Sequence, residues 1–109
     1  MAEPVEVLQG TLDLLILKAL LLGPLHGWSI SKRVRQLSND LFQIYQGSLY
    51  PALYRLEDKG WIESDWGESP EGRRVRVYRL TAKGKKAFVA ERASWRVFAS
   101  TLDLVLDAE

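Results

Sequence analysis

The chain has 109 residues, of which 47% are hydrophobic and 27% charged, as is typical of a single folded domain. A multidomain enzyme or a long repeat array is therefore not expected. Fifteen Lys and Arg residues oppose fourteen Asp and Glu residues, so the net charge of +1 does not by itself indicate a partner. The basic residues are nevertheless clustered, because residues 14–39 and residues 72–90 contain no acidic side chain. Two such tracts can give a nearly neutral protein one positive face.

The chain contains no cysteine, which excludes disulfides, thiolate zinc sites and a cysteine nucleophile. This composition suits a reducing compartment, so we expect a cytoplasmic protein. The apolar run from Leu12 to Leu25 is interrupted by Lys18 and is too short to cross a bilayer. We therefore expect neither secretion nor a membrane span.

Two helices are predicted in the first third of the chain. The first begins with Thr11 as N-cap and ends at Leu22, before Gly23-Pro24. Because it is apolar nearly all round, it must be buried on most sides. The second runs from Gly27 to about Ser38 and is amphipathic. Its predicted core face holds Trp28, Ile30, Val34 and Leu37, and its polar face includes Lys32, Arg33 and Arg35.

A third helix is predicted after residues 41–46, a short ambiguous run that could be extended. It starts near Ser48, which places Pro51 in the first turn, where no helical hydrogen bond is lost, and it stops at Gly60. Its buried stripe consists of Leu49, Leu53 and Leu56. The flanks and the open side then hold Ser48, Tyr50, Pro51, Tyr54, Arg55 and Asp58.

The pattern changes from helical to extended after Gly60. Residues 61–66 and 75–80 are rich in aromatic and β-branched side chains, and the Gly- and Pro-containing segment between them predicts a β-hairpin with a basic tip. The inward-facing parity of the second strand stays open, because its apolar residues do not favour one face. Thr81 then caps a helix to about Leu106, whose seven-residue repeat holds Phe88, Trp95, Phe98, Leu102 and Val105.

The predicted fold is mainly α with a small β-hairpin. Three helices followed by two strands form a winged helix-turn-helix (α-α-α-β-β), and a long C-terminal dimerisation helix follows. In that arrangement the third helix enters the major groove and the hairpin reaches the backbone or the minor groove. We expect a winged-helix DNA-binding domain at residues 8–80 and a C-terminal dimerisation helix at residues 81–109, folding as one compact unit.

Several motifs run through the chain at the predicted element boundaries. They are Leu8-Gln9-Gly10-Thr11-Leu12-Asp13, Leu25-His26-Gly27-Trp28, Gly47-Ser48-Leu49-Tyr50-Pro51-Ala52-Leu53-Tyr54-Arg55-Leu56-Glu57, Gly60-Trp61-Ile62 and Tyr78-Arg79-Leu80-Thr81-Ala82-Lys83-Gly84. With these motifs the sequence resembles the PadR family of bacterial transcriptional regulators over roughly residues 8–106, most specifically at 47–53. The resemblance implies a dimeric winged-helix repressor of the short subtype, with one C-terminal helix. Trp28 stands where the family often has Tyr, a small change at a site expected to be packed.

The candidate DNA-binding residues lie on three elements. On the third helix, Ser48 and Tyr50 would hydrogen-bond to phosphates or base edges, Pro51 and Tyr54 would make apolar contacts, and Arg55 would bind a phosphate or guanine. For Tyr54 a core position is equally open. At the hairpin, Arg73, Arg74 and, with less support, Arg76 are placed to meet phosphates, although a solvated loop is the alternative. Lys32 on the second helix either touches the DNA backbone or stays solvated.

The long C-terminal helix carries a candidate seam for dimerisation, formed by Phe88, Trp95, Phe98 and Leu102. Trp95 either packs in the dimer core alone or also stacks on a ligand. The family resemblance keeps the ligand open, since PadR-like repressors are often released by planar aromatic or lipophilic compounds.

No arrangement of residues suggests enzyme catalysis. His26 is the only histidine, and the adjacent Glu57 and Asp58 point in different directions on a helix. We therefore expect no enzymatic activity, no cofactor and no metal. The function expected is that of a cytoplasmic homodimeric repressor that binds double-stranded DNA at an inverted-repeat operator. The alternative is a winged-helix protein-interaction module without specific DNA binding.

Overall fold

The computed structural model describes Val5–Glu6 and residues 9–109. Residue 8, where the predicted DNA-binding domain begins, lies outside the described residues. The elements in chain order are β1 (Val5–Glu6), α1 (Gln9–Leu21), β2 (Leu25–His26), α2 (Gly27–Leu37), β3 (Phe42–Gln43), α3 (Gln46–Asp58), β4 (Ile62–Glu68), β5 (Arg74–Leu80) and α4 (Ala82–Leu106). The predicted order of three helices, a hairpin and a long helix is confirmed.

The first helix forms the centre of the core. Every side chain from Thr11 to Leu20 is buried or half-buried, as its apolar character predicts. The helix begins at Gln9, so Thr11 lies inside it and the prediction of Thr11 as N-cap is wrong. Gln9 and Gly10 have a helical backbone, so the N–H of Thr11 lies within the first turn of the helix.

The second helix matches its predicted range to within one residue, but only part of its predicted core face is buried. Ile30 and Val34 are buried, whereas Trp28 is 50% exposed and Leu37 is also exposed. The packed neighbours of α2 cover the middle of the helix, and residues in its first and last turns extend beyond them. The expectation that Trp28 is a packed site is therefore wrong.

The third helix begins at Gln46, before the predicted start at Ser48. Pro51 consequently lies in the second turn, and its predicted place in the first turn is wrong. The acceptor that loses a helical bond is the carbonyl of Gly47, an exposed residue that water can reach. The predicted stop at Gly60 is confirmed: its φ of 76° is left-handed, and the next N–H, that of Trp61, bonds to the carbonyl of Leu56 at 3.0 Å.

The hairpin belongs to a three-stranded antiparallel sheet. β4 and β5 pair from Ile62↔Leu80 to Glu68↔Arg74, leaving a loop at residues 69–73. The two-residue strand β2 adds to the other edge of β5, in the strand order β2-β5-β4. This third strand was not predicted, since two residues carry no periodicity. Tyr78 is buried and Leu80, on the same face of β5, is half-buried, whereas Arg74 and Arg76 on that face are exposed, so this face turns inward only at the base of the hairpin.

Thr81 caps the last helix, as predicted. Its Oγ1 accepts a hydrogen bond from the N–H of Gly84 at 3.0 Å and donates to the carbonyl of Gly60 at 2.6 Å, which ties the start of α4 to the end of α3. A Cβ on Gly84 would overlap the carbonyl oxygen of Trp61, so only glycine allows this close approach. Beyond residue 90 nearly every side chain of α4 is exposed, and the helix leaves the core.

Candidate nucleic-acid interface

The exposed side of α3 carries the predicted recognition residues. Leu49, Ala52, Leu53 and Leu56 are buried, and this leaves the other side of the helix open. The exposed residues on this side are Ser48, Tyr50, Pro51 and Tyr54. Among them, Tyr50 also lies close to Gly27. The structure therefore brings these four residues together on one face.

Tyr50 packs one edge of its ring on the start of α2. A Cβ built on Gly27 would lie 3.1 Å from Cε1 and 3.2 Å from the hydroxyl oxygen of Tyr50, so glycine makes room for the ring. The ring is thereby held while the rest of it stays exposed. This contact joins the Leu25-His26-Gly27-Trp28 motif to the Gly47–Glu57 motif. It also explains why a glycine suits position 27, since a larger residue would crowd the ring of Tyr50.

Tyr54 is the most exposed aromatic residue among those whose exposure the structure describes, at 79%. A core position, which the sequence left open, is therefore wrong. Its side chain borders a groove of about 370 Å³ between α3 and the hairpin, which is also lined by Glu57, Asp58 and Arg76. The helix and the hairpin thus present one continuous surface.

Arg55 does not lie free on the open side of α3. Its Nη2 donates to Oδ1 of Asp13 on α1 at 2.8 Å, and both residues are half-buried. The prediction that Arg55 is a free side chain for a phosphate or guanine is therefore not supported by its placement. Arg55 instead ties α3 to the core helix α1 and fixes the orientation of α3.

The hairpin tip carries two arginines, Arg73 at the end of the loop and Arg74 at the start of β5. The N–H of Ser69 bonds to the carbonyl of Arg73 at 2.7 Å, and the Ser69 hydroxyl accepts from the N–H of Arg73 at 3.1 Å. Gly72 has a φ of 83°, which favours glycine at this turn. Arg73 and Arg74 are exposed, and in the described part of the chain neither forms an ion pair with a carboxylate.

Arg76 joins the hairpin to α3. Its Nε and Nη2 donate to the hydroxyl of Ser64 at 3.1 and 2.8 Å, and that hydroxyl donates to Oε2 of Glu57 at 2.8 Å. The guanidinium also lies 3.9 Å from Oε2 of Glu57. Arg76 was predicted to meet phosphate, but its Nε and Nη2 bond to Ser64 within the protein, and through Ser64 and Glu57 it connects the hairpin to α3.

Tyr78 is buried beside this network. Burial, followed by the negative charge of Glu57, raises the pKa of its phenol above the usual 10.0, and the nearby Arg76 opposes this rise only in part. The phenol is therefore neutral at physiological pH and contributes to the packing between the sheet and α3.

Lys32 lies exposed on α2 at a shallow groove that Trp28, Ser31, Arg35, Gln43 and Ile44 also line. In the described residues Lys32 forms no ion pair, whereas Arg35 pairs with Asp40 at 3.5 Å. The placement of Lys32 therefore leaves its charge available to a DNA backbone.

The residues of the predicted seam on α4 differ in exposure, since three are exposed and one is buried. Trp95 and Phe98 are exposed and stack with ring centroids 5.6 Å apart and an interplanar angle of 27°, and Leu102 is exposed as well. Phe88 is 7% exposed and packs in the core of its own chain, so its prediction as a seam residue is wrong. At residue 88, α4 still packs against α1, and its side chains become exposed within the next turns.

A second groove lies where α4 leaves the core. It has a volume of about 270 Å³ and is lined by Leu14, Leu15, Lys18, Phe88, Arg92 and Trp95. The walls are mainly apolar, with two cationic side chains among them. This groove places Trp95 next to α1.

Two features beside the predicted site residues were not expected from the sequence. Trp66 is exposed on the hairpin with two arginines over its ring, and Asp13 is the partner of Arg55. The strand pattern indicated a hairpin, but the partners of Trp66 follow only from the register of β4 and β5. The signal for Asp13 is its place in the Leu8–Asp13 motif.

Among the described residues there is no cluster of three or more His, Cys, Asp or Glu side chains suited to a metal ion. Within the same residues, no helix combines the length and the apolar character that a membrane span requires.

Known proteins share both the sequence and this arrangement. Residues 16–90 match the transcriptional regulator PadR-like family. The chain belongs to this family. It is 32% identical over 103 residues to an uncharacterised protein of Lysinibacillus sphaericus, with 94% of each chain covered. The resemblance that the motifs indicated is therefore confirmed.

Solved structures of regulators are similar over most of the chain. A transcriptional regulator from Clostridium thermocellum has a TM-score of 0.78 and 33% identity, with 87% of this chain and 89% of that chain covered. A PadR family transcriptional regulator from Eggerthella lenta has a TM-score of 0.78 and 28% identity, with 93% and 86% covered. The predicted winged-helix fold is confirmed, and the protein is a transcriptional regulator of the PadR family.

Proposed function

We propose that this PadR-family protein is a cytoplasmic homodimeric repressor that binds an inverted-repeat operator and blocks transcription by occupying it. The observation that carries the proposal is the surface shared by α3 and the hairpin. Tyr54 and Arg76 border one groove, and the hairpin adds two arginines that have no carboxylate partner in the described part of the chain. A helix face beside a basic hairpin suits one groove of DNA and its flanking phosphates.

The residues of this surface take different roles in the proposal. Ser48, Tyr50, Pro51 and Tyr54 face the major groove, where hydroxyls and apolar rings read base edges or contact phosphates. Arg73 and Arg74 bind phosphates without reading sequence, and Lys32 adds a backbone contact from α2. Arg55 and Arg76 act within the protein, since their guanidinium groups hold α3 to α1 and the hairpin to α3.

Dimerisation is proposed through the C-terminal segment, residues 81–109. The exposed seam of Trp95, Phe98 and Leu102 leaves apolar surface in water, and pairing it with a second copy removes that cost. A two-fold dimer places the two α3 helices about 34 Å apart, one turn of DNA, and this spacing requires an operator with inverted symmetry.

Release of the repressor by a planar aromatic or lipophilic compound is proposed at Trp95. The support is the mainly apolar groove between α1 and α4, of which the exposed Trp95 indole forms one wall. A flat ring could stack on this indole. The compound would then act on α1, the helix that also holds α3 through Asp13 and Arg55.

The alternative is a winged-helix protein-interaction module whose basic residues are only solvated. Fluorescence anisotropy of the full chain with a labelled duplex of random sequence, measured across a series of salt concentrations, separates the two functions. The repressor binds, and its affinity falls steeply with salt because phosphate contacts release counterions. No binding at low salt would favour the interaction module.

A further inference from the structure

The exposed indole of Trp66 lies on the hairpin in contact with two arginines. Trp66 on β4 is 53% exposed, although it is a large aromatic residue in the middle of a regular strand. The Cζ of Arg74 lies 4.2 Å from the centroid of its ring, and the Cζ of Arg76 lies 5.2 Å from it. Both distances are within the range of a cation–π interaction.

The register of the hairpin brings these three side chains together. Trp66 is directly opposite Arg76, and Arg74 is opposite Glu68, so all four side chains share one face. The diagonal from Trp66 to Arg74 is within reach of long side chains. On this face the hairpin meets α3 at its base, through Ser64 and Glu57.

Arg74 and Arg76 differ in their hydrogen bonds and ion pairs within the protein. Arg76 donates to Ser64 and approaches Glu57, so its charge is balanced within the protein. Arg74 has no ion pair and no side-chain hydrogen bond among the described residues, and its described contact is the indole of Trp66. Its guanidinium is thus oriented without the use of its N–H donors.

Stacking of this kind keeps a guanidinium ready to bind an anion. A cation–π contact uses the flat face of the group, whereas a phosphate is bound by N–H donors that lie in its plane. An arginine held on an indole has already lost part of its rotamer freedom, so binding costs less ordering entropy. A carboxylate partner would instead have occupied the donors.

We propose that Trp66 is a positioning residue for DNA binding, whose indole holds Arg74 so that its guanidinium meets a backbone phosphate beside the recognition helix. This inference rests on the proposed function, because the phosphate belongs to the DNA that α3 binds. Trp66 acts through Arg74 and does not itself contact DNA.

A double-mutant cycle on the full chain tests this role. The affinity of the wild type, Trp66→Leu, Arg74→Gln and the double variant for one labelled duplex is measured by fluorescence anisotropy at fixed salt. We expect Trp66→Leu to weaken binding about two- to five-fold, because an Arg74 side chain that is no longer held must be ordered when DNA binds. In the Arg74→Gln background the same substitution has no further effect, because the group it positions is gone.

Conservative variants and a matched control sharpen the result. Trp66→Phe keeps an aromatic face and retains most of the affinity, whereas Arg74→Lys keeps the charge and still loses affinity because its ammonium lacks the planar fork. Arg79→Gln removes one charge from the same strand, but Arg79 lies on the other face, bound to Glu63 at 2.9 Å, so it weakens binding less than Arg74→Gln. Thermal melting of the DNA-free variants stays unchanged.

Two results overturn the proposal while leaving DNA binding intact. Unchanged affinity in Trp66→Leu would show that the indole does not position Arg74, and an equal loss in both backgrounds would show that Trp66 contacts DNA by itself. A wild-type chain that does not bind the duplex would instead overturn the proposed function.

Discussion

Tyr54 offers the cleanest test of the groove-facing surface at the scale of single residues. Its side chain is exposed and makes no hydrogen bond in the described part of the chain, so its removal does not disturb the core. We expect Tyr54→Ala to weaken specific DNA binding by about 1–3 kcal/mol and to leave the melting temperature unchanged. Tyr54→Phe, measured beside it, separates the hydroxyl from the ring. A parallel fall in melting temperature would place Tyr54 in the packing of the protein.

Tyr78 makes the stability of the protein depend on pH in the alkaline range. Burial, followed by the charge of Glu57, raises the pKa of its phenol above 10.0 in the folded state. The unfolded chain therefore releases this proton at a lower pH. The free energy of unfolding is unaffected below about pH 10 and falls as the pH rises from there through the raised pKa.

We expect Tyr78→Phe to remove this part of the pH dependence. Urea unfolding of both proteins between about pH 9 and pH 11 measures it, because the unfolded-state phenol titrates in this range. Equal slopes of unfolding free energy against pH in the two proteins would contradict the assignment to Tyr78.

Single residues were also where the sequence was least informative. Helical periodicity places the neighbours Leu53 and Leu56 inward but leaves a core position for Tyr54 equally open, and the structure shows that it is exposed. The pairing of Arg55 with Asp13 cannot be predicted from helical periodicity, because the two residues are 42 positions apart and meet only after α1 and α3 pack. The burial of Phe88 likewise depends on how far α1 covers α4.

At the scale of elements, the hairpin is proposed to bind DNA without reading its sequence. Arg73, in the loop, and Arg74, the first residue of β5, are exposed and have no carboxylate partner in the described residues. Replacement of both by Gln should lower the affinity for all DNA sequences and reduce the slope of log affinity against log salt by up to about 2. Binding measured across a salt series checks this. An unchanged slope would place the hairpin tip in solvent.

The elements themselves were predicted well because their local signals were strong. Thr81 as N-cap and Gly60 as stop both came from capping chemistry that needs only a few neighbouring residues. The predicted start of α1 is three residues late because Thr11, a good capping residue, lies inside the helix, and that of α3 is two residues late. The strand β2 was missed because its pairing with β5 joins positions about fifty residues apart.

At the scale of the whole molecule, α4 determines the shape. The radius of gyration is 15.3 Å, whereas about 13 Å is typical of a compact chain of this length. The excess follows from a helix of 25 residues whose second half has left the core. Its exposed apolar side chains lie in water in the single chain, and the proposed dimer would bury them.

Glutamate substitutions within the seam of α4 and on its opposite side test the proposed dimer. Phe98→Glu combined with Leu102→Glu should convert the dimer to a monomer, because burial of these carboxylates in an apolar interface is unfavourable. Ser100→Glu adds a charge on the other side of the same helix and should leave the dimer intact. Analytical ultracentrifugation at micromolar concentration measures all three proteins. A monomeric wild type would contradict the dimer itself.

The central claim is that two copies of α3 read one symmetric DNA site. Selection of bound sequences from a random duplex pool at moderate salt, with the full chain, tests it most directly. The proposal predicts enrichment of an inverted repeat whose half-sites are centred about 10 base pairs apart, one helical turn. Recovery of no enriched sequence, or of a single unpaired half-site, would contradict it.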